Sequence, residues 1–437
     1  MKRRLLRMIQ DRSLVCGVVG LGYVGLPLAV EKAKAGFRTI GFDIQPERVA
    51  MVNQGQNYIG DVVDQELGAL TAGGMLAATE DFELLKAVDF IAVCVPTPLD
   101  ENRQPDLRYI RESAAQIARR LRRGTIVVLE STSYPGTTEE LLRPILEQGS
   151  GMKCGEDFYL GFSPERVDPG NLIYRTCNTP RVVGGIGRDA TEVIAALYRS
   201  VLQGEVFEVS RPAAAEMEKL LENSYRSVNI ALANEMAMLC GAMGLDIWEV
   251  VEAAKTKPYG FTAFYPGPGI GGHCIPVDTV YLSWRARAFG CRTQLLESAA
   301  AVNDRMPEYC AARAARMLNA QGKAVFGSKI LALGAAYKQE VADFRESPAV
   351  RVIELLREQG ARLSFYDPYL SQYVWKGKTR LGLPRLTGSA ISEADLVLVL
   401  TAHAAVDYSL VQKNARQIFD TKNAMKEIVP RENITVL

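Results

Sequence analysis

The sequence has few of the residues that build metal centres and disulfide frameworks. Its 437 residues include two histidines and eight scattered cysteines, none of which forms a CxxC pair. Several of the cysteines lie in apolar runs that are typical of buried core, so we expect reduced thiols in a cytoplasmic protein. Neither a metal site nor a disulfide framework is expected.

A charge excess and a membrane segment are also missing. Lys and Arg number 51 against 50 Asp and Glu, so neither nucleic acid nor an anionic membrane is an expected partner. The basic start, MKRRLLRMIQ, precedes an apolar run in the manner of a secretion signal. Asp11 and the glycine spacing argue against that interpretation, and no small-residue cleavage site follows. We expect a small ligand that is recognised locally, and no membrane span.

What the sequence does contain is an alternation of strand and helix patterns at both ends. Residues 14–19 form an apolar run, residues 27–35 a short helical segment, and residues 39–42 a second strand. The same alternation resumes after Gly327. The predicted fold class is therefore α/β, with two Rossmann-like doubly wound domains.

Between these two regions lies a helical middle that begins with a long amphipathic helix. The predicted helix occupies residues 212–244, with Pro at its start and Gly at its end. Its apolar stripe comprises Met217, Leu220, Leu221, Tyr225, Val228 and Leu232. Further helical segments continue to residue 317, so the chain reads as two α/β domains joined by a long central helix and a helical domain.

A glycine motif lies between the first strand and the first helix of the N-terminal region. Gly20, Gly22 and Gly25 form G-x-G-x-x-G, which suits a tight turn, the close approach of a pyrophosphate and helix packing. Asp43 ends the second strand, where it would accept hydrogen bonds from ribose hydroxyls and repel a 2′-phosphate. The pattern predicts NAD rather than NADP. Arg48 lies just past this strand, where an arginine can favour the 2′-phosphate of NADP. Alternatively, Arg48 is a solvated surface charge.

Two further pairs of residues suggest chemistry. Lys219 and Asn223 lie four residues apart on one face of the long helix, away from its apolar stripe. They form either a solvated edge or a pair of donors for an oxygen that becomes negative during a reaction. Cys274 precedes a predicted helix start, and Asp278 follows it by four positions. This cysteine is either a small buried thiol in a turn or a nucleophile whose thiolate the helix dipole favours.

Several motifs, taken in order, resemble those of the UDP-glucose/GDP-mannose dehydrogenase family. They are GVVGLGYVGLPLA, VPTP, ESTSYPGTT, FSPER, EMEKLLEN, GPGIGGHCIPVD and LGAAYKQEVADFRESPA. The resemblance implies an NAD-binding Rossmann domain at 1–209, a central helical dimerisation domain with the catalytic cysteine at 210–318, and a UDP-sugar-binding α/β domain at 319–437. It also implies a homodimer or a higher homo-oligomer.

The resemblance implies a reaction as well. Members of the family oxidise C6 of a nucleotide sugar from alcohol to aldehyde to acid, consuming two NAD and one water. The stretch KPYGFTAFYPGPGIGGHCIP is most similar to the branch that oxidises UDP-N-acetylhexosamines. The expected substrate is UDP-N-acetylglucosamine, used in making surface polysaccharide such as O-antigen. Cys274 would form a thiohemiacetal and then a thioester, and the neighbouring glycines would let a sugar approach the backbone.

The resemblance also assigns catalytic roles. Lys219 and Asn223 match the pair that stabilises the alkoxide and the thiohemiacetal oxygen. Asp278 and Thr132 match residues that hold the water and handle the first proton. Glu165 matches the carboxylate of thioester hydrolysis.

Binding contacts are implied in the same way. The NAD contacts are Gly20, Gly22, Tyr23, Val24, Gly25, Asp43, Arg48, Pro96, Thr97, Thr132 and Arg345. The substrate contacts are Glu165, Arg166, Val167, Lys219, Asn223, Lys257, Tyr265, Gly271 and Lys338. Surface charge is the alternative interpretation of Lys338 and Arg345, and His403 is expected to be structural.

Departures from the family pattern leave other functions open. His273 stands where UDP-glucose enzymes have a small residue, and Val277 where they usually have Lys. Pro258 stands where they have an Arg that crosses the subunit interface, with Lys257 as its candidate substitute. The alternatives are oxidation of UDP-glucose or UDP-N-acetylgalactosamine, a two-electron hydroxyacid dehydrogenase, and a nucleotide-sensing protein without catalysis.

Overall fold

The computed structural model describes residues 1–60, 62–168, 171, 173–272 and 275–437. The chain forms two compact units. The first comprises Met1–Glu222 and Val280–Cys291, and the second comprises Asn223–Thr279 and Arg292–Leu437. The division into three segments that the sequence suggested stays a prediction.

The first unit is built on an eight-stranded sheet. Its strands are β1 (Cys16–Val19), β2 (Thr39–Phe42), β3 (Leu76–Thr79), β4 (Phe90–Val93), β5 (Ile126–Leu129), β6 (Tyr159–Phe162), β7 (Arg181–Gly185) and β8 (Val206–Val209). Their spatial order is β3-β2-β1-β4-β5-β6-β7-β8, and β6 and β7 pair antiparallel while the other neighbours are parallel. The first six strands have the order of dinucleotide-binding folds, whose ligands bind where the order reverses, here between β1 and β4.

Helices cover both faces of this sheet. They are α1 (Lys2–Gln10), α2 (Gly25–Lys34), α3 (Pro46–Asn53), α4 (Asp64–Ala72), α5 (Arg108–Ala118), α6 (Arg143–Ser150) and α7 (Arg188–Val201), with a 3₁₀ helix at Phe82–Ala87 and a π-helix at Thr137–Leu142. Successive residues of a strand point to opposite faces. Val18 and Val128 accordingly belong to one hydrophobic cluster, and Val19 and Leu129 to the other.

Four helices form the middle of the chain. They are α8 (Pro212–Met243), α9 (Ile247–Lys255), α10 (Ile275–Arg287) and α11 (Gln294–Ala320). The predicted long helix is confirmed, and it begins in the first unit and ends in the second. None of the helices in the described part of the chain combines the length and the apolar character that crossing a bilayer requires.

The apolar stripe of α8 lies mostly at the surface. Leu221 is 64% exposed, Tyr225 52% and Leu232 54%, whereas Leu220 is fully buried. The face that α8 buries is rich in polar side chains instead, and it carries Glu216, Lys219, Asn223, Ser224, Ser227 and Asn234. The long helix thus turns much of its polar face toward the protein.

The second unit contains its own parallel sheet. The strands are β9 (Lys329–Leu333), β10 (Arg362–Tyr366), the hairpin β11 (Gln372–Trp375) and β12 (Lys378–Leu381), β13 (Leu396–Val399), β14 (Ile418–Asp420) and β15 (Ile434–Val436), with helices α12 (Pro348–Glu358), α13 (Gly388–Ser392) and α14 (Tyr408–Asn414). The sheet order is β10-β9-β13-β14-β15, and every neighbouring pair is parallel. The order reverses between β9 and β13. The predicted fold class, with two Rossmann-like sheets and a long central helix, is confirmed.

A buried carboxylate of α8 holds a loop of the first unit. Glu216 accepts hydrogen bonds from the backbone nitrogens of Gly136 and Thr138, at 2.5 and 2.9 Å, and from Thr138 Oγ1 at 2.7 Å. Although these donors favour the carboxylate, burial raises the pKa of Glu216 to about 7. This group therefore titrates close to neutral pH in the folded protein.

We predict that Glu216 makes the protein less stable as the pH rises from about 5 to 7. The folded pKa of about 7 lies above the ordinary value of 4.5, so the unfolded chain releases this proton first. The free energy of the unfolded state therefore falls relative to the folded state over that range. The loss of unfolding free energy over that range is roughly 2 kcal/mol. Denaturant unfolding of wild type and Glu216→Gln across this range measures it, because the other titrating groups are shared. A difference between the two proteins that does not change with pH would contradict the prediction.

Candidate active site

The turn after β1 has the space that a dinucleotide needs. Gly20 has φ +91°, and a Cβ placed on it would lie 2.6 Å from the carbonyl oxygen of Cys94. A Cβ on Gly25 would lie 1.8 Å from the carbonyl oxygen of Gly20. At Gly22, in contrast, no atom comes within 4 Å of the Cβ position. Gly20 and Gly25 therefore serve the turn and the helix packing, and Gly22 leaves open space for a pyrophosphate.

Asp43 is oriented toward this turn. Its side chain is 5% exposed, and its Oδ2 accepts a hydrogen bond from the Leu21 nitrogen at 2.8 Å. Its Oδ1 accepts one from the Gln45 nitrogen at 3.0 Å. Arg48 Nη1 lies 3.6 Å from Asp43 Oδ2, so Arg48 is ion-paired rather than simply solvated.

The other predicted NAD contacts of the first unit follow the carboxyl ends of its strands. Tyr23 is about half exposed and lies with Val24 in the turn after β1. Pro96 and Thr97 follow β4, and Thr132 follows β5. The structure therefore brings these residues to the edge where nucleotides bind in parallel sheets, and together with Gly22 and Asp43 they fit NAD.

The segment after β6 carries a well-ordered carboxylate. Glu165 Oε1 accepts hydrogen bonds from the backbone nitrogens of Arg166 and Val167, at 2.8 and 3.0 Å. The Arg166 side chain forms ion pairs with Glu222 and, at 3.3 Å, with Glu218. Burial and the neighbouring Glu222 charge raise the pKa of Glu218 to about 7. This segment is thus tied to the first part of α8.

Lys219 and Asn223 are both buried. Lys219 is 8% exposed in the first unit, and Asn223 is 5% exposed in the second. The Asn223 Nδ2 donates a hydrogen bond to Asp278 Oδ2, and Asp278 lies in the first turn of α10. The alternative of a solvated edge is therefore wrong for both residues. Cys274, the predicted nucleophile, lies outside the described residues, as does His273.

The glycine-rich segment before α10 packs against protein. A Cβ on Gly271 would lie 2.7 Å from the Glu346 carbonyl oxygen, and one on Gly272 would lie 2.8 Å from the Tyr337 ring. We expected these glycines to leave room for a sugar, but the space that a side chain would fill is occupied by Tyr337 and Glu346. The segment is also held at Gly267, whose nitrogen donates to Asn234 Oδ1 at 2.9 Å.

A cavity of about 170 Å³ opens in the second unit. It lies where the strand order reverses, with Lys338 following β9 and Thr401 following β13. Lys422, after β14, also lines it, and burial lowers the pKa of this ammonium. Two lysines at such an edge suit a diphosphate. Lys422 was not among the residues predicted from the sequence, although its position just after a buried strand could have indicated it.

The remaining predicted contacts make local interactions. Lys257 is exposed and its Nζ lies 5.1 Å from the Tyr259 ring. Tyr265 donates to Glu252 Oε1 at 2.6 Å, and Arg345 pairs with an aspartate two residues before it. The ligand roles of these three residues stay predictions.

His403 is buried in the second unit. Its Nδ1 accepts a hydrogen bond from the Glu340 nitrogen, and its Nε2 lies 3.1 Å from Asp367 Oδ2. These contacts hold the loop that carries Lys338, which agrees with a structural interpretation of this histidine.

Comparison with known proteins finds one family over most of the chain. Models of the UDP-glucose/GDP-mannose dehydrogenase family match the chain at residues 14–202 (NAD binding domain), 213–305 (central domain) and 331–427 (UDP binding domain). The UDP-N-acetyl-D-mannosamine dehydrogenase of Pyrococcus horikoshii is 35% identical over 94% of this chain and 96% of its own. The UDP-N-acetyl-D-glucosamine 6-dehydrogenase of Pseudomonas aeruginosa is 37% identical over 82% of this chain and 84% of its own.

A solved structure is also similar to this chain over nearly its whole length. The UDP-D-ManNAc dehydrogenase from Pyrococcus horikoshii aligns with a TM-score of 0.88 and 34% identity, covering 97% of this chain and 99% of that one. Sequence and structure therefore agree over nearly the whole chain.

We predict that alanine at two motif glycines separates NAD binding from folding. In Gly22→Ala the methyl group enters the open space, so NAD affinity falls about tenfold or more, roughly 1.4 kcal/mol, while the melting temperature is unchanged. In Gly25→Ala the methyl group collides with the Gly20 carbonyl, so both NAD affinity and melting temperature fall. Calorimetric titration with NAD and thermal unfolding measure the two effects. Unchanged NAD affinity in Gly22→Ala would show that the pyrophosphate lies elsewhere.

Proposed function

Since this chain belongs to the UDP-glucose/GDP-mannose dehydrogenase family and is an NAD-dependent UDP-sugar dehydrogenase, we propose that it oxidises C6 of a UDP-N-acetylhexosamine. UDP-N-acetylglucosamine is the first candidate. UDP-N-acetylmannosamine, its epimer at C2, is the second, because a relative named for that sugar matches more of the chain. The uronic acid product would serve surface polysaccharide synthesis.

The observation that carries this proposal is that each of the two sheets has a carboxyl edge suited to a nucleotide, and that the two edges carry different side chains. The edge of the first unit has the open Gly22 turn and the Asp43 carboxylate, which suit an adenosine ribose and a pyrophosphate. The edge of the second unit has Lys338 and Lys422 in one cavity, which suit the diphosphate of a UDP-sugar. A hydroxyacid dehydrogenase has no need of the second edge.

The proposed reaction removes four electrons from the sugar. In balanced form, R–CH₂OH, two NAD⁺ and one water give R–COO⁻, two NADH and three H⁺. NAD, when bound, supplies the hydride acceptor of both oxidations. The Cys274 thiolate adds to the aldehyde carbon to give a thiohemiacetal, loss of the second hydride leaves a thioester, and water releases the acid and the thiol.

We assign the other roles by the family resemblance and by burial. Lys219 stabilises the alkoxide of the first oxidation, since its ammonium is largely shielded from solvent. Asn223 stabilises the thiohemiacetal oxygen, and its hydrogen bond with Asp278 orients both side chains. Asp278 and Thr132 hold the water and handle the first proton. Glu165 takes the proton of the water that hydrolyses the thioester.

A homo-oligomer completes the proposal. In the second unit, α8 exposes Tyr225, Leu232, Leu239 and Met243, each at least half exposed. Their spacings of seven, seven and four residues place them along one side of the helix. An exposed apolar row of this kind is typical of a helix that packs against a partner, and two copies of α8 can satisfy each other.

We predict that Leu232→Asp converts the oligomer to a monomer. The buried carboxylate would cost several kcal/mol in an apolar helix pair, and the monomer stays folded because this side chain is exposed. Size-exclusion chromatography with light scattering gives the mass. Leu381→Asp, which changes a 76% exposed leucine of the hairpin in the same unit, is the control and keeps the wild-type mass. A monomeric wild type would contradict the oligomer.

We predict about two NADH per UDP-sugar consumed. The assay uses limiting UDP-N-acetylglucosamine, UDP-N-acetylmannosamine, UDP-N-acetylgalactosamine or UDP-glucose, and the fastest sugar identifies the substrate. Cys274→Ala abolishes acid formation, whereas Cys291→Ala, which removes an exposed free thiol, keeps wild-type stoichiometry. One NADH per sugar would identify a two-electron enzyme. No NADH with any sugar would favour a sensing protein.

A further inference from the structure

The carboxyl edge of the first sheet holds a buried arginine that the mechanism above does not use. Arg181 is the first residue of β7 and is 2% exposed. Its Nε donates to Ser163 Oγ at 3.0 Å, and its Nη1 donates to Glu165 Oε2 at 2.9 Å. The remaining Nη2 donates to Glu130 Oε2. One guanidinium therefore joins the segments that follow β5 and β6.

Arg181 is itself held from behind. The Tyr198 hydroxyl donates to the second oxygen of Glu130, and the Tyr198 ring centroid lies 5.0 Å from the guanidinium carbon. Lys32 Nζ lies 4.6 Å from the same ring centroid, and it makes no hydrogen bond within the described part of the chain. The Glu130 carboxylate and the Tyr198 ring thus fix the plane of the guanidinium.

The contacts of Glu165 leave one acceptor position for a water. A carboxylate has about four lone-pair sites, two on each oxygen. Oε1 already accepts from two backbone nitrogens, those of Arg166 and Val167. Among the described residues, the hydrogen bond to Oε2 comes from Arg181. The second lone pair of Oε2 is therefore the acceptor left for a water, and Arg181 determines where it points.

We propose that Arg181 is a positioning residue that aims Oε2 of Glu165 at the water that hydrolyses the thioester. The inference rests on the role of Glu165 in the proposed function. A buried arginine–glutamate pair contributes little net stability, because the desolvation cost offsets the attraction. An arginine that only filled the core would gain nothing over apolar side chains. The planar guanidinium instead donates to both Glu130 and Glu165, and Glu165 lies at the ligand edge of the sheet. The guanidinium thereby fixes the direction of the Glu165 carboxylate.

Two substitutions separate the effect of the Arg181 hydrogen-bond geometry from the effect of its positive charge. Arg181→Lys keeps the charge, but an ammonium cannot reproduce the fork, so thioester hydrolysis slows about tenfold. Arg181→Gln also removes the charge, so hydrolysis slows about a hundredfold. A purely structural role would slow the two oxidations together with the hydrolysis.

The measurement is a single-turnover reaction with saturating NAD and the UDP-sugar that is oxidised fastest in the stoichiometry assay. Acid quench and intact-protein mass spectrometry follow the thioester, and NADH absorbance follows the oxidations. Both Arg181 variants accumulate the thioester while the oxidations keep their wild-type rates. Arg199→Gln, which removes a half-exposed arginine paired with Glu208 at 2.8 Å, is the matched control and hydrolyses normally.

Folding and the role of Glu165 are tested separately. Arg181→Gln leaves Glu130 without its positive partner, so the double variant with Glu130→Gln removes both buried charges and shows the same slow hydrolysis. Glu165→Gln accumulates the thioester if the proposed function is correct. Wild-type hydrolysis in the Arg181 variants beside accumulation in Glu165→Gln would overturn this inference alone. No accumulation in Glu165→Gln would overturn the assigned role of Glu165 and the inference with it.

Discussion

Helix α8 buries several polar side chains, and segments of the candidate site supply their hydrogen-bond partners. A buried polar group without a partner costs about 1–3 kcal/mol. In the first unit, Glu216 finds its donors at Gly136 and Thr138. In the second unit, Asn223 donates to Asp278 at the start of α10. Each partner lies in a loop or a helix start, so satisfying the helix also orders the segments around the proposed chemistry.

The same principle continues along α8 into the second unit. Asn234 accepts from the Gly267 nitrogen and donates to Asn303 Oδ1 on α11, both at 2.9 Å. Asn303 in turn donates to the Ser227 carbonyl at 3.1 Å. This chain of hydrogen bonds anchors the glycine-rich segment that leads toward Cys274. Larger apolar side chains of α8, such as Leu221, Tyr225 and Leu232, are exposed instead.

The two sheets have a common feature at their ligand edges. In the first unit, Asp43 at the end of β2 accepts a hydrogen bond from the Leu21 nitrogen in the turn after β1. In the second unit, Asp367 after β10 accepts from the nitrogens of Ala335 and Ala336 in the turn after β9. A carboxylate beyond the second strand thus orders the turn beyond the first in both sheets. The edges differ in that Lys338 and Lys422 line the cavity at the second edge.

The local elements and the nucleotide motif can be predicted from the sequence, because they depend on neighbours along the chain. The turn at Gly20 and Gly25 and the strand before Asp43 follow from short-range sterics and periodicity. Which side of α8 is buried cannot be predicted in this way, because helical spacing groups residues on a face without saying what the face meets. The same holds for Arg181 and Lys422, whose partners come from distant strands, and for Gly271, where Glu346 occupies the space expected for a ligand.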